Sequence, residues 1–425
     1  MNYSTSIPTK DAKKAKTTFA LLLFAVSLFL ASMDFFNKYF YFLYFCFAVL
    51  FILGVKSFHI NFFVFALLGI SFSYLIFNPN SAYSITGVLK QFVYPLSYLC
   101  GLNCLRLFDS GETSHERTKS REKGFLFICY TIAAGILVHV LLNLYNNQGL
   151  EGRLIDDFWG GAASATCNAA LFCFGIGMIP ALLLNKSGWF GKTFSIVCLI
   201  SFTLFALILA GRTFFFLFLI VFILSVFFSA YKARDIKKAF GLILIVSVIV
   251  GVLFAIYKSN FLNVKNLFES SNFYDRFYGK WASDITEDGR MERKQMYFQN
   301  MLELKNLFGG GKLRAASKTK YAHELYLDLL SDAGIFAYVI CIVFVFSRTF
   351  RAFKFAASNQ TGYSRLFGVV VFGIFLSLNI EFFIEPILQG VPWLFPTFCI
   401  LCGMIDYIIL KKQTDVQIKK GEPSA

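Results

Sequence analysis

The sequence has little charge and few histidines. Only 15% of its 425 residues are charged and four are histidine, whereas 57% are hydrophobic and the mean hydropathy is +0.63. Soluble chains of this length are about a quarter charged and less than half apolar. An ordinary soluble globular protein is therefore excluded. A disordered chain is excluded too, because so apolar a chain would not remain solvated.

Disulfide and metal-binding patterns are also missing. The ten cysteines all lie within apolar stretches, where cysteine behaves as a small hydrophobic residue, so no disulfide framework is indicated. The loops predicted below to lie outside the membrane contain no Asp-x-Asp motif and no paired His or Cys at metal-ligand spacing. We therefore expect neither a metal nor another cofactor.

Long apolar stretches make up most of the chain. A helix needs about 20 apolar residues to cross a bilayer core of about 30 Å, and twelve stretches meet this requirement. The sequence thus predicts an all-α integral membrane protein with about 12 transmembrane helices. The predicted spans are residues 18–36, 39–55, 60–77, 87–107, 124–145, 164–184, 193–210, 213–230, 239–257, 328–347, 366–384 and 392–410.

The basic residues predict the orientation. If the N-terminus is cytoplasmic, the cytoplasmic segments hold 24 Lys and Arg, the short outer loops hold three, and Lys90 lies near an outer helix end. This asymmetry follows the positive-inside rule, so both termini are predicted to be cytoplasmic. The formal net charge of +15 then reflects topology, and we expect no nucleic acid partner.

The remaining twelve basic residues lie in one long outer segment. The chain divides into residues 1–257 with spans one to nine, an outer loop at 258–322, and residues 323–425 with the last three spans and a cytoplasmic tail. The loop also holds seven acidic residues, which leaves it a local charge of +5. Loops this long are uncommon without a function, although long translocated segments tolerate charge.

A helical repeat stands out in this loop. The pattern predicts an amphipathic helix at residues 288–307 that lies on the membrane surface. Three glycines at 309–311 are a plausible stop for it, and only weakly indicate a phosphate cradle, because they follow a helix instead of opening one. The repeating residues are Arg290, Arg293, Tyr297 and Met301.

Two further residues lie at predicted outer positions. His323 is predicted to begin the helix of the tenth span, and a histidine there is, taken alone, more often an ordinary interfacial residue. Arg212 lies in the tight turn between the seventh and eighth spans. An arginine beside hydrocarbon either snorkels to the interface or faces a polar interior, and its guanidinium suits bidentate phosphate binding.

Together these residues resemble a known family. Arg212 at an outer turn, an Arg-x-x-x-Tyr helix in a large outer loop, and His323 opening His-x-x-x-Leu-x₆-Gly resemble the O-antigen ligase and O-antigen polymerase superfamily. The topology of the whole chain is similar, and the motifs span about residues 205–340. The resemblance implies a bacterial plasma (inner) membrane enzyme that joins surface polysaccharides on the periplasmic or outer face.

The resemblance also implies roles for individual residues. Arg212 resembles the first essential arginine of the family. Arg293 is the better match to the second essential arginine, because Tyr297 is then in register. Arg290 is the rival candidate for that position. His323 resembles the family histidine. Glu324 follows it where the family often has Asn or Ser, and Glu324, Arg290 and Tyr297 are candidates for substrate binding.

The implied activity is that of a metal-independent, inverting membrane glycosyltransferase. Its donor is a glycan on undecaprenyl diphosphate, whose leaving diphosphate Arg212 and Arg293 would stabilise. His323 would act as a general base for an acceptor hydroxyl, or would merely orient it. The acceptor is another lipid-linked unit in a polymerase and the lipid A core in a ligase. We favour the polymerase slightly, because the Asp-Phe-Trp segment before the sixth span resembles that of polysaccharide polymerases.

Other acidic and aromatic residues are secondary candidates for substrate binding. Asp157 and Trp159 in that segment could bind and stack an acceptor sugar, although interfacial anchoring is the more common role of such aromatics. Glu381 and Glu385, at the outer end of the eleventh span, could line the same cavity, since acidic groups there are costly and often functional.

A transporter or lipid-linked glycan flippase is the alternative from another functional class. Many twelve-span transporters consist of two similar halves joined by a cytoplasmic linker between spans six and seven. That linker, about residues 185–192, is very short here, and the large loop lies outside and off-centre. The sequence therefore favours an enzyme.

Overall fold

The computed structural model describes residues 10–420, apart from 55–57, 79–83, 110, 112, 148–153, 210, 319–320, 359–362 and parts of the segments 235–262 and 271–288. Most of the predicted ninth span and most of residues 271–288 in the predicted outer loop lie outside the described residues.

Eight helices form the N-terminal half, and they coincide with the first eight predicted spans. Helix α2 continues into one π-helical segment, Leu50–Gly54. A short antiparallel hairpin, β1 (Leu154–Asp156) and β2 (Ala162–Ser164), precedes α6 and is an exception to the expected all-α structure. The helices are α1 Lys10–Ser32, α2 Tyr39–Val49, α3 Phe62–Phe77, α4 Ile85–Cys104, α5 Ser114–Asn146, α6 Ala165–Leu184, α7 Gly188–Ile208 and α8 Arg212–Ala233.

The C-terminal half combines short helices of the loop with three long helices. The long helices α12, α13 and α15 coincide with the last three predicted spans. A 3₁₀ segment, Leu304–Phe308, follows α10. The helices are α9 Val264–Glu269, α10 Gly289–Met301, α11 Lys312–Ala316, α12 Leu325–Ala357, α13 Arg365–Ile384, α14 Ile387–Gly390 and α15 Leu394–Lys420.

Seven helices in the described part are long and apolar enough to cross a membrane, and three shorter apolar helices accompany them. An all-α membrane protein is therefore confirmed, whereas the count of twelve spans stays a prediction. The seven candidate spans are Ala15–Ser32, Ser114–Asn146, Gly188–Ile208, Thr213–Ala233, Leu325–Ala357, Arg365–Ile384 and Leu394–Lys412.

Small residues bring the long helices into close contact. A Cβ added to Gly101 of α4 would lie 2.1 Å from the Ile400 carbonyl oxygen of α15. A Cβ on Gly373 of α13 would lie 2.2 Å from the Gly177 carbonyl oxygen of α6. In a bilayer the hydrophobic effect does not drive helices together, because the lipid tails are as apolar as the side chains. Van der Waals packing of small residues is therefore a main source of helix association.

A buried ion pair joins these helices at the end predicted to face the cytoplasm. Arg348 of α12 contacts the Asp406 carboxylate of α15 at 2.6 Å, and Tyr98 of α4 donates to the same carboxylate at 2.6 Å. Arg351 adds a second cation at 3.2 Å. The buried Asp406 carboxylate is thus compensated by two arginines and one hydroxyl donor, as a buried charge must be. The predicted outer end of α12 carries a different set of polar groups.

Candidate functional site

Three glycines after the 3₁₀ segment dock the loop onto α12. Gly309–Gly311 all have positive φ, and α12 is kinked at Gly334, where φ is 82°. The kink interrupts helical hydrogen bonding, so the carbonyls of Asp332 and Ser331 accept bonds from the second and third glycine N–H groups at 3.0 and 2.8 Å. A Cβ on the first glycine would lie 2.8 Å from the Gly334 nitrogen. The glycines therefore hold the loop in place and follow the 3₁₀ segment, whereas the predicted helix already ends at Met301. Two of their N–H groups bond to α12, which argues against the phosphate cradle.

A buried carboxylate ties the same turn to the membrane helices. Arg314 of α11 donates to Asp332 Oδ1 at 2.5 Å. The Tyr74 hydroxyl of α3 and the Gln389 amide of α14 donate to Asp332 Oδ2 at 3.1 and 3.2 Å. Asp332 is 3% exposed, and removing one partner of a buried ion pair is strongly destabilising. The loop is thus fixed relative to α3, α12 and α14.

His323 lies just before α12 in a strained backbone conformation. It was predicted to begin the helix, but α12 begins at Leu325 with Glu324 as its N-cap, and His323 has a left-handed φ of 61°. The Ala322 N–H donates to Asp328 Oδ1 at 2.8 Å, and the Asp328 N–H donates to the Glu324 carbonyl at 3.2 Å. Fully buried Asp328 thereby fixes the backbone on both sides of His323. Strained residues of this kind cluster at functional sites.

Asp328 is therefore expected to position His323. Asp328→Ala removes the acceptor for the Ala322 N–H, so we expect glycan transfer to slow by about tenfold or more, since small displacements of a reacting group cost large factors in rate. Asp328→Asn keeps a side-chain oxygen in place and should retain most of the rate. Turnover of the purified variants measures this. Equal losses in both variants would show that His323 does not depend on this hydrogen bond.

Arg293 contacts His323 directly. Arg293 Nη1 lies 2.7 Å from His323 Nε2, although the two residues are 30 positions apart in the sequence. Because a guanidinium only donates, Nε2 must accept this hydrogen bond, and the ring is then neutral with its proton on Nδ1. Two of the residues predicted to share the outer face are thus brought together, one from α10 and one from the turn before α12.

A small core sets the rotation of α10. Tyr297, one turn after Arg293, is fully buried against Leu313, Ala322, Leu327 and Leu330. With Tyr297 turned inward, Arg293 is held on the side of the helix that meets the turn containing His323. The spacing that favoured Arg293 over its rival in the sequence therefore has a structural counterpart in the packing of Tyr297.

The predicted helix at 288–307 is shorter in the structure. It ends at Met301, because the Asn306 side chain donates to the Asn300 carbonyl at 2.8 Å and the Glu303 N–H also turns back to that carbonyl. The side chains beyond this end are polar or strongly exposed, and Leu302 is 83% exposed. The 3₁₀ segment then carries the chain to Gly309.

Lys294 links this helix to two membrane helices. Its Nζ lies 3.1 Å from Glu324 Oε2, before α12, and donates to the Phe383 carbonyl of α13 at 2.6 Å. Phe383 is two residues from Glu381, and both Glu381 and Glu385 are completely buried. The outer end of α13, predicted to line the site, thus contacts the loop through Lys294. Glu324, predicted to bind substrate, is buried and ion-paired here.

The Glu324–Lys294 pair gives a pH-dependent prediction. Burial raises the pKa of Glu324 above its usual value, and Lys294 only partly offsets this. The folded protein then binds the Glu324 proton more tightly than the unfolded chain, so this carboxyl favours folding less as pH rises from about 4.5 through the raised pKa. We expect the unfolding temperature of wild type, relative to Glu324→Gln, to fall over this range.

Thermal unfolding in detergent at several pH values measures this difference. Glu303→Gln is the matched control, because the Glu303 side chain is 55% exposed and pairs with an exposed lysine. Its difference from wild type should change little across the same range. A Glu324→Gln difference that is constant with pH would contradict the assignment.

A cavity of about 320 Å³ lies beside the Arg293–His323 contact. Helix α10 lines one side with Glu292, Arg293, Met296 and Asn300, and the C-terminal end of α11 with the residues after it lines the other. The cavity therefore offers both positive charge and hydrogen-bonding groups beside Arg293, whose guanidinium contacts His323. Among the described residues, no group of three or more His, Cys, Asp and Glu could hold a metal ion.

The Asp157 and Trp159 segment forms a separate polar cluster. Asp157 is 6% exposed, and its Oδ1 lies 3.8 Å from His139 Nε2 of α5. Asp157 thus lies beside His139, a grouping that the sequence did not indicate, because the β-hairpin folds back over the end of α5. The Trp159 ring packs against Phe35 and Phe36, with ring centroids 4.8 Å away in each case. These contacts favour anchoring over sugar stacking.

The remaining predicted site residues are placed only by their backbone. Arg212 is the first residue of α8, directly after the N-cap Gly211. Arg290 is the second residue of α10. Their side chains lie outside the described part of the structure. Both positions agree with the predicted turn and the predicted helix, and their roles stay predictions.

The sequence alone did not identify three residues of the site, Asp328, Lys294 and Arg314. Asp328 and Asp332 did carry a signal, since two carboxylates one helical turn apart opened an otherwise apolar span. Lys294 carried none, because lysines are frequent in loops and its partners lie 30 and 89 positions away. Arg314 carried no signal either, because it lies among several other basic residues of the loop.

The fold and the site define an all-α membrane protein whose loop places an arginine, a histidine and a cavity at one end of its helices. Residues 196–342, 147 of the 425 residues, match a family model described as O-antigen ligase. The match includes Arg212, Arg293 and His323, and it confirms the resemblance to the O-antigen ligase and polymerase superfamily. No curated protein matches the chain.

Proposed function

We propose that the protein is a membrane glycosyltransferase that moves a glycan from undecaprenyl diphosphate to an acceptor sugar hydroxyl. The observation that carries this proposal is the 2.7 Å contact between Arg293 and His323 beside a cavity, within the segment that matches the O-antigen ligase family. The site would lie on the outer face of a bacterial plasma membrane, with both termini in the cytoplasm.

In the proposed reaction, the acceptor hydroxyl oxygen attacks the anomeric carbon of the donor and the bond from that carbon to the diphosphate oxygen breaks. Attack from the side opposite the diphosphate inverts the anomeric centre. The hydroxyl proton passes to His323 Nε2, and the diphosphate leaves with its charge stabilised by Arg212 and Arg293. This chemistry needs no metal, because guanidinium groups neutralise the leaving group.

The contact between Arg293 and His323 couples donor binding to base activation. Without donor, the Nε2 lone pair accepts the hydrogen bond from Arg293. A diphosphate attracts the guanidinium more strongly than a neutral imidazole does, because the hydrogen bonds are then charge-assisted on both sides. Arg293 would turn to the diphosphate and leave Nε2 available for the acceptor proton.

The acceptor decides between polymerase and ligase. We favour a polymerase of O-antigen or capsular polysaccharide, on the strength of the segment containing Asp157 and Trp159 before α6. A ligase that joins the glycan to the lipid A core is the second candidate, and the description of the matched family favours it. Deleting a polymerase should leave single repeat units on the cell surface, whereas deleting a ligase should leave long polymer on its carrier lipid.

Reconstitution tests the proposal. Purified protein in liposomes is supplied with a labelled lipid-linked glycan and either a second lipid-linked unit or lipid A core, with a chelator present. Joined glycan supports the proposal, and the acceptor used identifies the class of enzyme. Movement of the label across the bilayer without joining would instead identify a flippase.

A further inference from the structure

The cavity beside Arg293 is walled by two segments of the loop. Four residues of α10 form one wall, among them Arg293 and Glu292, and Ala316, Ser317 and Lys318 form the other. Arg293 therefore lies between the cavity on one side and His323 Nε2 on the other. A ligand held in this cavity would be in direct reach of the guanidinium that contacts the histidine.

Lys318 occupies this wall in an unfavourable backbone conformation. Its φ is 50°, in the left-handed region, directly after the C-cap Ser317 of α11, and its N–H donates to the Ala315 carbonyl at 3.2 Å. Helices commonly end with glycine at this position, because a Cβ disfavours the left-handed conformation. A lysine in a conformation where glycine would be unstrained is a backbone outlier of the kind found at functional sites.

The charges of the cavity fit an anionic ligand. Arg293 and Lys318 supply two cations, Glu292 supplies one carboxylate, and Ser317 and Asn300 supply polar groups. A lysine ammonium is a compact point charge that suits a phosphate, and an arginine can bind a phosphate with two parallel hydrogen bonds. The cavity is thus better suited to a phosphate group than to a neutral sugar.

We infer that Lys318, which the proposed function did not use, is a further donor-binding residue whose ammonium contacts the diphosphate in this cavity beside Arg293. The inference rests on the proposed function, because that function supplies the diphosphate. It assigns opposite effects on donor binding to Lys318 and Glu292. Lys318 attracts the diphosphate, whereas the Glu292 carboxylate repels it and weakens binding.

Binding of undecaprenyl diphosphate to the full-length protein in nanodiscs tests this. Lys318→Gly removes the cation and relieves the backbone, so affinity should fall by about tenfold, as expected for a lost charge-assisted hydrogen bond, while thermal stability does not decrease. Glu292→Gln should tighten binding by about twofold or more. Lys312→Ala, an exposed lysine of the same short helix outside the cavity lining, should bind like wild type.

Two outcomes would overturn the inference. Wild-type affinity in Lys318→Gly would exclude Lys318 from the donor site. Weaker binding in both Lys318→Gly and Glu292→Gln would show that the cavity takes a hydroxyl-bearing group that hydrogen-bonds to the carboxylate. If the predicted effects are seen but wild-type protein joins no glycan, the binding site stands and the proposed function fails.

Discussion

Replacing His323 by alanine is expected to lower the rate of glycan transfer by at least about a hundredfold, while the protein still inserts and folds. A positioned general base contributes about 10² to 10⁴ in rate, and alanine removes the nitrogen that would take the acceptor proton. The side chain is only partly buried and forms part of a surface turn, so its loss should leave the membrane helices intact.

The measurement is turnover of a lipid-linked donor by the purified variant, compared with its thermal unfolding. His115→Ala is the matched control, because His115 is exposed near the start of α5, on the side predicted to face the cytoplasm. It should transfer glycan at the wild-type rate. Normal product from His323→Ala would exclude the histidine as the base, and donor binding by that variant would then show what else the residue does.

The long apolar stretches were sufficient to predict the membrane helices. Each described predicted span coincides with a helix, because about 20 apolar residues in lipid must satisfy their backbone hydrogen bonds internally. The ends of the helices were harder to place. The helix containing Arg293 stops at Met301 because Asn306 binds the Asn300 carbonyl, and this contact between side chain and backbone leaves no hydrophobic pattern.

The site could be predicted in part. Spacing favoured Arg293 over Arg290, and topology placed Arg293 and His323 on one face, but it could not show that the two side chains touch. That contact depends on the docking of the loop, through Gly309 against Gly334 and through Arg314 with Asp332. Such long-range contacts follow from the packed structure, since no local propensity encodes them.

The pairing of His139 with Asp157 was missed for a related reason. The two residues are 18 positions apart, and one lies in an apolar span whose surroundings suggest no partner. The hairpin that returns Asp157 to the end of α5 is held by amide side chains, including Asn143, which accepts from the Phe158 N–H at 2.8 Å. Scattered asparagines gave no sequence signal for a hairpin.

Replacing Arg293 by alanine is expected to slow glycan transfer by about 10² to 10³, the usual effect of removing one group that stabilises developing negative charge. Arg293→Lys keeps the charge but loses the two-pronged geometry, so its rate should lie between those of alanine and wild type. Since the leaving-group charge develops mainly in the transition state, kcat should fall more than KM changes. Lys305→Ala is the control, because Lys305 is an exposed cation of the same loop.

The double variant Arg293→Ala/His323→Ala tests whether the two residues act as a unit. Two independent residues would give a loss equal to the product of the single losses. In the proposed reaction Arg293 and His323 act in the same transition state, one on the departing diphosphate and the other on the attacking hydroxyl, so either single variant already disables that step. We therefore expect the double variant to be about as slow as the slower single variant, as found for catalytic groups that work together. A fully multiplicative loss would show that donor binding and base activation are not coupled through this contact.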